Sequence, residues 1–156
     1  MTKRLLSMVA TAALLMPVAA LAQTVTLTTT LDKYRGPEAY LAFYITDANG
    51  NYQKTLWVAG KRNKYYRHLR DWYRGTGYSS AEYDGLTGAS LRAGKTLQLD
   101  VDIPDQYFDA GYQIRVETAV EHGYSGSPDI SVALDRAQAG QAVAGRTYVN
   151  SFQFDL

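Results

Sequence analysis

Residues 24–31 alternate strictly. Val25, Leu27, Thr29 and Leu31 fall on one side and Thr26, Thr28 and Thr30 on the other, the period of a strand with one buried face. Leu41, Phe43 and Ile45 alternate with Tyr40, Ala42 and Tyr44, so a second strand lacks a charged face and is expected to be covered on both sides. Asp47-Ala48-Asn49-Gly50-Asn51 follows, and Asn-Gly between alternating runs predicts a hairpin. Residues 52–58 return, with Leu56 and Val58 inward and Trp57 opposite. Leu97, Leu99, Val101 and Ile103 make another set, stopped by Pro104. Tyr112, Ile114, Val116, Thr118 and Val120 form the longest strand, and residues 130–134 and 148–154 two shorter ones. Short strands divided by Gly, Asn, Asp and Pro turns predict an all-β fold, an antiparallel Ig-like β-sandwich. Its expected core is Leu27, Leu41, Phe43, Ile45, Leu56, Leu99, Val101, Ile114, Val116 and Phe152.

One stretch breaks the period of two. Between Gly60 and Gly75, Tyr65, Tyr66, Leu69, Trp72 and Tyr73 recur at three- and four-residue spacing, which predicts one short helical insertion. Its other face is basic: Lys61, Arg62, Lys64, Arg67, Arg70 and Arg74. Such a face is either simply solvated or suited to a phosphate-bearing ligand.

The N-terminus reads as an export signal over residues 1–22. Lys3 and Arg4 precede an apolar run over residues 5–18, and Ala20-Leu21-Ala22 is a small-residue cleavage site before Gln23. The run is short for a membrane span and Pro17 interrupts it, so the expectation is a periplasmic protein, peripheral to the membrane at most, with residues 23–156 forming one domain. Loss of Lys3 and Arg4 leaves fourteen basic residues against fifteen acidic, a charge near −1 that gives no footing for nucleic acid. Without cysteine there are no disulfides and no thiolate metal sites, so stability is expected to come from the core. The thirteen tyrosines suit sheet faces, where the ring buries and the hydroxyl stays wet.

Recognisable chemistry is sparse. His68 and His122 lie in contexts without metal-ligand spacing, and no metal site is assigned. No nucleophile elbow and no dinucleotide fingerprint occurs, so no catalytic residue is assigned either. Glu117 and Glu121 share parity opposite to Ile114, Val116 and Val120, which makes them a charged solvent face; the alternative is that Glu117 and His122 line a cofactor site. The segment Asp84-Gly85-Leu86-Thr87-Gly88-Ala89-Ser90 remains. As an ordinary surface turn it needs no further role.

That segment also resembles the acceptor site for covalent flavin attachment in bacterial FMN-binding proteins. The resemblance implies an FMN phosphate joined to the last hydroxyl, Ser90, by a flavin transferase. Asp84 would position a metal or the hydroxyl, Thr87 would belong to the motif, and Gly88 and Ala89 would leave the backbone open. The acceptor in such motifs is more often Thr; serine offers the same oxygen without the methyl group.

A wider likeness surrounds it. Tyr40-Leu41-Ala42-Phe43-Tyr44-Ile45-Thr46-Asp47-Ala48-Asn49-Gly50, Thr55-Leu56-Trp57-Val58, Leu69-Arg70-Asp71-Trp72-Tyr73-Arg74 and Val116-Glu117-Thr118-Ala119-Val120-Glu121-His122-Gly123 flank the heptapeptide in order. Together they resemble a family of predicted periplasmic proteins, domain of unknown function 2271. This resemblance implies partnership with a flavin transferase and a PepSY-type membrane protein, and electron transfer outside the inner membrane, sometimes linked to iron acquisition. Two functions follow as expectations: a carrier with covalent FMN on Ser90, or a cofactor-free Ig-like module that binds or assembles with a membrane complex.

Overall fold

The structure is a computed structural model that describes residues 21–124 and 128–156. The expected signal over residues 1–22 therefore lies almost wholly outside the described residues, as do Ser125, Gly126 and Ser127. Among the described residues, eight strands and one α-helix run in the order β1 (Ala22–Leu31), β2 (Ala39–Thr46), β3 (Tyr52–Ala59), α1 (Arg70–Gly75), β4 (Thr87–Gly88), β5 (Thr96–Pro104), β6 (Gln113–Val120), β7 (Ile130–Ala133) and β8 (Val149–Asp155). A cut after Ala22 would leave the β1–β5 ladder intact from the Gln23–Ile103 pair onward.

Two sheets form, one in the order β5-β1-β8 and the other β4-β3-β2-β6-β7. All pairings are antiparallel except β3 with the two-residue β4, which is parallel. The connectivity is that of an immunoglobulin-type sandwich: β1 and β5 stand where strands B and E would, and β3, β2, β6 and β7 where C′, C, F and G would. The C-terminal β8 takes the place beside β1 that strand A takes in antibody domains.

The alternation of β1 places Val25, Leu27, Thr29 and Leu31 inside, with threonines between them outside. Val101 and Ile103 of β5, with Val149, Phe152 and Phe154 of β8, complete that wall. Leu41, Phe43 and Ile45 of β2 and Ile114 and Val116 of β6 face it. Full burial of each such side chain stabilises the fold by about 1.5–3 kcal/mol. Leu97 and Leu99 sit at the rim, half-buried, because β5 is an edge strand. Asp47 holds the predicted hairpin, its Oδ1 accepting the Asn49 and Asn51 amides at 2.9 Å each, with Gly50 at φ 85°.

β3 departs from the expected pattern. Leu56 packs in the sandwich core but Val58 packs on the opposite face of the sheet, so the two do not point the same way. The register with β2 shifts between Phe43–Trp57 and Tyr44–Thr55, leaving Leu56 as the extra residue of a bulge. An inserted residue reverses the alternation beyond it, and Trp57 consequently packs against the sandwich core.

The predicted insertion is a 3-10 turn, Asn63–His68, followed by α1. Tyr66, Leu69 and Trp72 are its buried residues, spaced by three as the tighter helix requires. With Tyr83 they cover the outer face of the five-stranded sheet, over Ala42, Tyr44, Val58 and Ala119. β2 is thus covered on both sides, as its sequence requires.

Candidate functional site

At one end of the five-stranded sheet, β2 begins where β6 ends, with Ala39 opposite Val120. Ala39 also exchanges two backbone hydrogen bonds with Leu91, at 2.8 and 3.0 Å. Three segments are thereby fixed around one point: Glu38 before β2, Glu121 after β6, and Ser90 beside Leu91. The 3-10 turn closes the remaining side with Tyr65 and His68. The result is a cavity of about 390 Å³, within the range that small-molecule sites occupy. Ser90, Ala89, Glu38, Tyr40, Tyr65 and His68 line it, with Lys61, Arg62 and Glu121 at its charged margin.

Ser90 Oγ donates to Glu38 Oε2 at 2.5 Å, and Arg92 Nε donates to Glu38 Oε1 at 2.9 Å. The Ser90 hydroxyl and then the Arg92 guanidinium hold the Glu38 carboxyl below the usual carboxylate range. Glu38 is therefore ionised at neutral pH, and its hydrogen bond fixes the serine rotor with the proton toward the carboxylate. Tyr40 and Tyr65 meet edge to face, with ring centroids 5.5 Å apart, and form the aromatic wall. Lys64 Nζ lies 4.8 Å from the Tyr65 centroid on the outside. Burial raises the Tyr40 phenol above its ordinary value, so its hydroxyl keeps its proton at neutral pH.

Tyr40 lies so close to Gly60 that a Cβ there would fall 2.1 Å from its ring. Only glycine lets the chain leave β3 at that point, and Tyr66 Oη then donates to the Gly60 carbonyl at 2.6 Å. The place of Tyr40 in the cavity wall is therefore set by packing.

The heptapeptide is spread over two roles. Ser90 and Ala89 are on the cavity wall. Thr87 and Gly88 form β4 and pair with Val58 and Ala59. A Cβ on Gly88 would lie 2.8 Å from Trp57 Cζ2, so internal packing accounts for this glycine. Asp84 is exposed in the turn before β4, its amide donating to the Ser80 carbonyl, and it is not part of the lining.

Glu117 and His122 do not join the cavity lining. Contrary to the expected solvent face, Glu117 is fully buried: the aromatic layer covers the side of β6 that parity left open. Its carboxylate accepts the Asp71 amide at 3.1 Å and the Trp72 amide at 2.8 Å, capping α1 from another element. Burial pushes its pKa up to about 7, opposed by those two amides. His122 lies in the turn after β6, at φ 60°, with its side chain 91% exposed. Of the basic face only Lys61 and Arg62 reach the cavity, while Arg74 pairs with Asp71 at 2.7 Å.

Glu38 escaped the sequence reading. It is 52 residues from Ser90 in the chain, and the Ala39–Leu91 bridge brings the two together. Tyr40 and Tyr65 were legible as strand and helix residues, but not as two sides of one wall.

A family model described as predicted periplasmic protein (DUF2271) matches residues 22–151. No curated protein and no solved structure matches the chain. The matched span runs from the first residue of β1 into β8 and includes every residue of the cavity, and the chain belongs to this family of predicted periplasmic proteins.

Proposed function

We propose that the protein is a periplasmic electron carrier that bears FMN covalently, through its phosphate, on Ser90. The observation that carries this reading is the position of the Ser90 hydroxyl: on the wall of a cavity that also offers an edge-to-face tyrosine pair and the cations Lys61 and Arg62. The donor set fits the group in kind. Tyr40 and Tyr65 offer apolar ring surface to a planar heterocycle, Lys61 and Arg62 offer charge to polar edges or phosphate, and Ala89 adds little bulk beside the attachment point. Flavin supplies one- and two-electron redox chemistry when bound; the chain's part is to attach it, orient it and exclude water from one face. Electrons would pass between partners, a PepSY-type membrane protein being the expected one, and no substrate is turned over.

The test is the intact mass of the chain after co-expression with an active periplasmic flavin transferase. One FMN phosphoester on Ser90 is expected, absent in Ser90→Ala and retained in Ser90→Thr. An unmodified mass, with a known substrate modified alongside, would overturn the carrier. A second reading, a cofactor-free module that assembles with a membrane complex, draws on Gly88: its packing against Trp57 gives part of the heptapeptide a purely structural reason.

A further inference from the structure

We propose that Glu38 is the general base that activates Ser90 as a phosphoryl acceptor, so that the chain brings the base for its own modification. The inference rests on the carrier reading above and adds to it a residue outside the heptapeptide.

A serine hydroxyl is a weak nucleophile until a neighbouring base takes its proton. A candidate base must lie within hydrogen-bond reach of that proton and be held by a third group. Glu38 meets both conditions by its geometry; the same two hydrogen bonds lower its basicity, so its advantage is its place on the hydroxyl proton and not its strength as a base. Its Oε2 accepts from Ser90 Oγ at 2.5 Å, and its Oε1 accepts from Arg92 Nε at 2.9 Å. The arrangement is fixed by the backbone, because the Ala39–Leu91 bridge sits one residue along from both Glu38 and Ser90.

The competing carboxylates do not take this place. Asp84 is exposed in the turn before β4 and outside the cavity lining. Glu121 lines the cavity but accepts from Tyr65 Oη at 3.4 Å. The Glu38–Arg92 pair is also exposed, with side-chain exposures of 41% and 77%. An ion pair so open to water adds little to stability.

Ser90 Oγ attacks the phosphorus of the FMN half of a flavin dinucleotide, and the Oγ–P bond forms. The pyrophosphate P–O bond breaks, and its electron pair leaves with the adenylate half. The hydroxyl proton passes to Glu38 Oε2, and nothing is oxidised or reduced. Arg92, already on the other carboxylate oxygen, offsets the negative charge that then accumulates beside Ser90.

The experiment follows intact mass against time for the unmodified chain mixed with a flavin transferase, its metal ion and the flavin dinucleotide. Glu38→Gln preserves shape and removes the basicity. Its attachment rate at saturating transferase is expected to fall by about 10²-fold or more, the usual worth of a general base, with an unchanged thermal midpoint. Glu38→Asp is expected to recover part of the rate. A Glu38→Gln rate within about twofold of the unmutated chain, or a deficit that disappears at saturating transferase, overturns the role of Glu38 and leaves the carrier standing. No mass gain on the unmutated chain, with a known substrate modified in parallel, overturns the carrier and this inference with it.

Discussion

On the side facing β1, β5 and β8, the five-stranded sheet presents Leu41, Phe43, Ile45, Ile114 and Val116; on the other it presents Ala42, Tyr44, Thr55, Glu117 and Ala119 beneath Tyr66, Trp72 and Tyr83. The first interface is held by apolar contact, Thr29 being the one polar residue in the inward set of β1. In the second, the small residues Ala42 and Ala119 leave room for large rings, and those rings bring polar atoms that must be satisfied. Trp72 Nε1 donates to Thr55 Oγ1 at 2.9 Å, Tyr66 Oη to the Gly60 carbonyl at 2.6 Å, and the amides of α1 to Glu117. The rings meet edge to face, Tyr66 with Trp72 at 5.5 Å and with Tyr83 at 5.3 Å. The cavity opens at the margin of this aromatic layer, where Tyr40 and Ala119 belong to both. One face makes the fold stable, and the other, at some cost in buried polar groups, shapes a site.

The comparison predicts unequal responses. Phe43→Ala, in the apolar interface, should lower stability by about 3–5 kcal/mol, measured as the midpoint of urea unfolding. An unchanged midpoint would mean that the interface does not carry the fold. Hydrogen exchange sharpens the contrast. Phe43→Ala should speed exchange throughout both sheets, whereas Trp72→Ala should release the Asp71 and Trp72 amides while β1 and β5 stay protected.

Next in size is a pH effect confined to the aromatic layer. Glu117 titrates near 7 when folded, against 4.5 for an ordinary glutamate. Because its folded pKa is raised, the native state holds a proton that the unfolded chain has released between those values. Its contribution is therefore full below pH 4.5 and lost as pH rises through 7, at about 1.4 kcal/mol per pH unit and up to about 3 kcal/mol in all. Glu38, Asp47 and Asp109 have lowered values, so their opposite slopes fall below the Glu117 window. Glu117→Gln should flatten the stability profile between pH 4.5 and 7 in urea titrations. An unaltered profile would show that another group supplies the slope.

The smallest expected effect is that of Tyr66→Phe, which keeps the ring and loses one buried hydrogen bond. It should cost about 1 kcal/mol, seen as a few degrees in thermal midpoint. A loss several times larger would mean that the Gly60 carbonyl has no other way to be satisfied and that the layer is as rigid as the apolar core.

Much of this was legible in the chain itself. The alternation of Val25 to Leu31, of Leu41 to Ile45 and of Ile114 to Val120 determined the strands and the inward face of each, because a period of two leaves a strand only one way to bury its apolar set. Asn49-Gly50 determined the hairpin, and the spacing of Tyr66, Leu69 and Trp72 the helical insertion. What covers the second face was not legible: parity tells that Glu117 opposes Ile114 and Val116, but not that a helix from another part of the chain lies over it. The bulge at Leu56 was equally silent, since the inserted residue shows only in the register with β2. The hydroxyl of Ser90 could be singled out from local order, whereas Glu38, Tyr40 and Tyr65 came to it only through the pairing of β2 with β6 and with Leu91. Local sequence fixes periodicity because neighbouring residues share a backbone; a site that joins residues 38, 65 and 90 depends on strand order and layer packing, which are free energies of the whole chain.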